Sequence, residues 1–305
     1  MVQYAIRIMF GRFENLPYKD PSVEEAWRYA FPIRLGGHPL PKPEFLSHPN
    51  TSGFTPKPTL ISLTAYPDDQ QVGAVGITTT RDVLVRSLGI PDDRVVYVGK
   101  VFLSLASEWY TAQHHLPPMS VVAKEEVLRY VRKENPPPGF DLMIDNACTN
   151  RVVQAYKRDQ HVPVILDTKL LWHLLQMESC LIPNAKFLPP DLVQIAIGFT
   201  GARRIANARH VRRQDNKPSD YQPSPNKLFG ADQARSRRYL DDQSIFRNQY
   251  GISYDPHTIY NDLHLIVDTT FLTPEQQVER IVEALTNTYG ANPAAMQALG
   301  LAPSK

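Results

Sequence analysis

Residues 263–285 read LHLIVDTTFLTPEQQVERIVEAL. Leu263–Asp268 is a short apolar run, as a strand buried on both faces requires. Thr273 then suits a helix N-cap, Pro274 the first helical position, and Gln276 completes a capping box with Thr273. Val278, Ile281, Val282 and Leu285 follow at i, i+3, i+4 and i+7, one apolar face of a helix. A buried strand leading into a capped amphipathic helix is the repeating unit of a covered parallel sheet.

The same alternation extends upstream. Strands are expected at Thr59–Thr64, Arg94–Val98, Val162–Asp167 and Val193–Phe199, with helices at Thr78–Leu88, Lys100–Gln113, Val121–Lys133, Asn150–Arg158 and Arg203–Arg213. Phe140–Ile144 is a further apolar run, read here as a strand ending at Ile144. The fold expected is α/β, a three-layer domain with a mainly parallel sheet. It occupies residues 59–290, with a tail at 291–305. Residues 1–58 form a different region. Val2, Tyr4, Ile6, Ile8 and Phe10 alternate as in a strand, and a short helix is expected at Ser22–Tyr29. Seven prolines between Pro32 and Pro58 preclude any long element, while Trp27, Phe31, Phe45 and Phe54 call for an ordered arm packed on the main domain.

The chain has 305 residues, 42% hydrophobic and 21% charged, which excludes a disordered or fibrous protein. It holds 27 prolines against 15 glycines, an inversion of ordinary usage that makes several glycine-rich ligand loops improbable. A net charge of +2 sets no global demand for a nucleic-acid or membrane partner. No apolar run approaches the length of a membrane span. Cys148 and Cys180 are too few for a disulfide framework, and a cytoplasmic location is expected. His114, His115, His173 and His264 lack partners at zinc-ligand spacing, and no G-x-S-x-G elbow occurs.

Ligands of such sheets bind outside the carboxyl ends of the strands. After Thr64 the chain runs AYPDDQQVGAVGITTT. Gly73, Gly76 and the hydroxyls of Thr78 and Thr79 suit a phosphate at a helix start, but Ile77 stands where a phosphate-binding lysine belongs and Asp68 and Asp69 would repel anions. A loop with an N-cap threonine is the competing reading. After Leu166, Asp167 is placed to hold a metal and Lys169 to pair with a phosphate, or Asp167 simply caps the next helix. Residues 203–238 carry ten Arg and Lys, among them Arg203, Arg204, Arg209, Arg212 and Arg213, against three Asp. This segment fits a phosphate-clamping lid, a nucleic-acid track or a solvated basic surface, and Lys217–Asn226 within it fits a lid loop.

In their order and end residues these segments resemble the cytidylate-kinase-like branch of the nucleoside monophosphate kinases. LISLT before its Gly/Thr turn resembles that family's first strand and phosphate loop. LGIPDDRVVYVGKVFLSLA, VPVILDTKLLWHLL and QIAIGFTGARRIANARHVRRQD resemble its second strand, its Asp-Gly-Arg strand and its arginine helix leading to the lid. Asp242, Arg247, Tyr250-Gly251-Ile252 and the closing LHLIVD segment are the nearest match. The resemblance implies a P-loop core that transfers a phosphoryl group from ATP to CMP or dCMP with Mg²⁺. It also implies that Thr78 and Asp167 serve the metal, that Asp167, Lys169, Arg204 and Arg209 serve catalysis, and that Lys100, Arg203, Arg212, Arg213 and Arg247 serve the acceptor or lid.

The chain departs from the family at the donor end. Ile77 replaces the lysine, Lys100 and Leu103 stand where an acidic residue and an arginine are usual, and Lys169 replaces an arginine. The expectation is therefore a diverged relative with an impaired ATP-phosphate site, binding a nucleotide or other phosphorylated small molecule as a pseudo-enzyme. An active phosphotransferase with a relocated lysine, and a module binding nucleic acid or a protein complex through 203–238, are the alternatives.

Overall fold

The structure is a computed structural model that describes residues 33–37, 58–67, 73–117, 126–127, 131, 139–177 and 181–289. Five parallel strands form the sheet: β2 (Thr59–Ala65), β3 (Val95–Tyr97), β4 (Val164–Asp167), β5 (Val193–Thr200) and β6 (Leu265–Asp268). Their order is β6-β5-β2-β4-β3, and β1 (Ile33–Leu35) adds an antiparallel edge strand beside β6. The first parallel strand is thus central, with β4 and β5 hydrogen-bonded to its two sides.

Alternation along each strand sends side chains to two separate cores. Leu60, Val164, Leu166, Ala196 and Ile266 join the core under α2 (Val98–Gln113) and α3 (Phe140–Arg158). Ile61, Leu63, Ile165, Ile197 and Val267 join the one under α1 (Ile77–Ser87) and α8 (Pro274–Tyr289). Both faces are covered, which is why the strands read as continuous apolar runs. The result is a three-layer, P-loop-like α/β domain, as the alternation of elements predicts.

The closing unit forms as its sequence requires. Gln276 N donates to Thr273 Oγ1 at 3.3 Å while Thr273 N donates to Gln276 Oε1 at 2.9 Å, a reciprocal capping box. Val278, Ile281 and Val282 are buried against the sheet.

Three elements differ from expectation. Phe140–Ile144 is no strand but the first turns of α3, because Phe140, Ile144, Cys148, Val152 and Tyr156 recur every four residues as one buried stripe. A five-residue window cannot distinguish the two. A short helix, α4 (Leu171–Gln176), follows β4 and buries Trp172 completely. The basic segment is a helical hairpin of α5 (Arg203–Gln214) and the 26-residue α6 (Pro225–Tyr250), joined through 215–224. Helix α7 (Pro256–Asp262) then leads to β6. The expected strand at Val2–Phe10, the helices at Ser22–Tyr29 and, for the most part, Val121–Lys133, most of the arm and the 291–305 tail lie outside the described residues.

Candidate anion site at the carboxyl edge of the sheet

Where β2 ends, the chain leaves the sheet and returns at α1. Gly73, Ala74 and Gly76 all have positive φ (86°, 58° and 82°), so the chain turns tightly into the helix start. The N-cap is Gly76, which brings no side-chain cap of its own, contrary to the reading of a threonine in that role. Thr80, buried, is the residue that donates back to Gly76 O, through both its N–H and its hydroxyl at 3.1 Å, and it also meets Gln277 on α8. Thr78 and Thr79 are exposed on the first turn, at the positive end of α1. Residues 68–72, with Asp68 and Asp69, lie outside the described residues.

Arg238 of α6 reaches this turn. Its Nη1 lies 3.5 Å from the point a Cβ at Gly73 would occupy. Arg238 is exposed and meets no carboxylate among the described residues. His210 of α5 is held below its usual pKa by burial and by Arg213, Arg235 and Arg238, which identifies these cations as neighbours. Of these, Arg238 is the one placed beside the start of α1.

One strand away, the carboxylate that ends β4 is already engaged. Asp167 is buried, and its Oδ2 accepts from Arg81 Nη1 at 2.7 Å. Arg81 also binds Asp82 Oδ1 through Nε and Nη2, and its guanidinium lies 4.6 Å from the ring centroid of Tyr97. Burial pushes the Asp167 carboxyl up to about 6, with Arg81 opposing. The partner comes from one turn inside α1, five residues after Gly76. Sequence reading missed it because nothing in TTTR marks which arginine faces the sheet.

Lys169 is engaged as well. Its Nζ donates to Asp242 Oδ1 at 2.5 Å, tying the end of β4 to the middle of α6, and its backbone carbonyl accepts from Thr64 Oγ1 at 2.6 Å. Burial lowers the Lys169 pKa while Asp242 and Asp141 hold it up. Asp242 is buried, and its Oδ2 has no hydrogen-bond donor among the described residues, so the Lys169 charge is what balances it. Asp145 on α3 accepts from the Tyr250 hydroxyl, and burial pushes its carboxyl up to about 6.

The remaining expected site residues scatter. Arg209 binds Thr269 through its hydroxyl at 2.8 Å and its carbonyl at 2.6 Å, so it braces the end of β6. Arg203 makes a two-point pair with Asp232, and Arg212 donates to Tyr221 O at 2.9 Å, fixing the hairpin. Arg204 and Arg213 on α5, Arg247 near the end of α6 and Lys100 on the first turn of α2 are exposed.

Asp167 already faces a guanidinium, and among the described residues no three His, Cys, Asp or Glu side chains are grouped to hold a metal. The turn and the arginine beside it suit an anion, which binds through N–H groups and a guanidinium. Among the described residues no helix is long and apolar enough to cross a membrane. No protein-family model and no curated protein matches this chain.

Proposed function

We propose that this protein binds a nucleotide or another phosphorylated small molecule at the Gly73–Thr79 turn and does not transfer its phosphoryl group. The observation that carries this reading is the Arg81–Asp167 pair: an internal cation occupies the carboxylate that phosphoryl transfer would assign to Mg²⁺. The absence of a lysine at Ile77 acts in the same direction, since phosphoryl transfer rests on charge placed around the transferring group. Lys169, the nearest candidate for a relocated lysine, is committed to Asp242.

Binding has support of its own. The start of α1 and Arg238 beside Gly73, which pairs with no carboxylate among the described residues, supply dipole and charge to one place. The likeness to cytidylate-kinase-like proteins makes ATP, CMP and dCMP the first ligands to try.

Calorimetric titration with ATP and with inorganic triphosphate, each with and without Mg²⁺, tests the reading. Binding is expected to be unaffected by Mg²⁺ at matched ionic strength and to weaken about tenfold or more in Arg238→Ala, the loss of one charge-assisted contact of about 1.5–3 kcal/mol. Binding that requires Mg²⁺, or that ignores Arg238, contradicts it.

A further inference from the structure

A second surface lies on the outer side of the helical hairpin, away from the Gly73 turn. Between the first turns of α5 and α6 runs an open groove of about 330 Å³, lined by Arg203, Arg204, Asn207, Leu228, Phe229 and Asp232. Phe229 is 62% exposed, the most exposed large hydrophobic side chain among the described residues. The one carboxylate in the groove is already satisfied: Asp232 accepts from Arg203 Nε and Nη2 and from Asn207 Nδ2. Arg204 at its edge is exposed and meets no carboxylate among the described residues. Two turns further along the outer half of α6 from Phe229, Arg237 is exposed in the same way.

We infer that this groove binds single-stranded nucleic acid, with a base stacked on Phe229 and the flanking phosphates on Arg204 and Arg237. The charge of the surface selects a polyanion. Arg204 and Arg237 are exposed cations on it, and its one carboxylate, Asp232, is paired with Arg203. The chemistry of the groove selects a nucleic acid among polyanions. It offers the open aromatic face of Phe229 together with the exposed guanidinium of Arg204, a planar group that forks onto phosphate oxygens. An acidic peptide would meet only the arginines and leave the Phe229 face unused. The inference is independent of the ligand at the Gly73 turn.

The test is fluorescence anisotropy of a labelled twelve-nucleotide oligothymidine titrated with the full chain between about 50 and 200 mM salt. Binding is expected at the lower salt and is expected to weaken steeply as salt rises. Phe229→Ala is expected to weaken it about 5- to 150-fold, the value of one base–aromatic stack. Arg204→Ala is expected to weaken it and to lower the salt slope by about one. Arg158→Ala, at the opposite edge of the sheet where Arg158 pairs with Asp93, is expected to leave it unchanged. Because Phe229 and Arg204 are exposed, neither variant disturbs the core. No binding at about 50 mM salt, a Phe229→Ala affinity equal to wild type, equal affinity for a duplex of the same length, or equal affinity for polyglutamate would each overturn the inference.

Discussion

Arg81 and Asp167 meet at 2.7 Å with side chains only 10% and 12% exposed. In so dry a setting neither charge is tolerated without the other. Arg81→Met is therefore expected to cost about 3–5 kcal/mol in a urea or thermal unfolding measurement, because it strands a buried carboxylate. Adding Asp167→Asn is expected to recover most of that loss, and a double variant no more stable than Arg81→Met would show that the pair is not coupled. Asp145 gives a second prediction, from its proton. Its folded pKa, about 6, lies above the ordinary 3.8 because burial penalises the charge. The folded protein therefore keeps a proton that the unfolded chain has already lost between those values. The stability this group lends is complete below about pH 4 and is lost as pH rises through 6. Asp145→Asn removes the group, so between pH 4 and 6.5 the urea midpoint is expected to fall less, or rise more, in the variant than in wild type. Parallel curves would contradict the assignment.

The elements were legible where their signals are local. Thr273-Pro274-Glu275-Gln276 specifies the start of α8 within four residues, and the structure has that capping box. Thr273→Ala is expected to cost about 0.5–2 kcal/mol of stability by chemical denaturation. The strands β2, β4, β5 and β6 were legible because being covered on both faces forces uninterrupted apolar runs. Phe140–Ile144 misleads for the same reason, since a short apolar run satisfies strand and helix equally. What separates them is the spacing of four that continues through Cys148 and Val152. Ile144→Ala is expected to cost about 2–5 kcal/mol, as for a fully packed aliphatic side chain on a helix. A cost below about 1 kcal/mol would mean that the stripe is not the seam holding α3 to the sheet. The 26 residues of α6 escaped notice because its buried face includes Arg235 and Asp242, polar residues that blur the helical period.

Across the whole molecule, the site was legible only in outline. The sheet order brings the ends of β2, β4 and β5 together, so the Gly73 turn, Asp167 and the basic hairpin do share one edge. Which cation serves which carboxylate depends on pairings 86 residues apart for Arg81 with Asp167 and 73 apart for Lys169 with Asp242. No local pattern encodes such pairings. They leave this edge with its carboxylate and its lysine both occupied by partners within the chain. The central claim is thus that the fold is kept for binding while the chemistry is closed off. Steady-state transfer of phosphate from ATP to CMP and dCMP, with Mg²⁺ and the wild-type protein, tests it most directly. The account predicts no turnover above the uncatalysed background under conditions where nucleotide binding is saturated. Sustained Mg²⁺-dependent turnover that is lost in Asp167→Asn would contradict it.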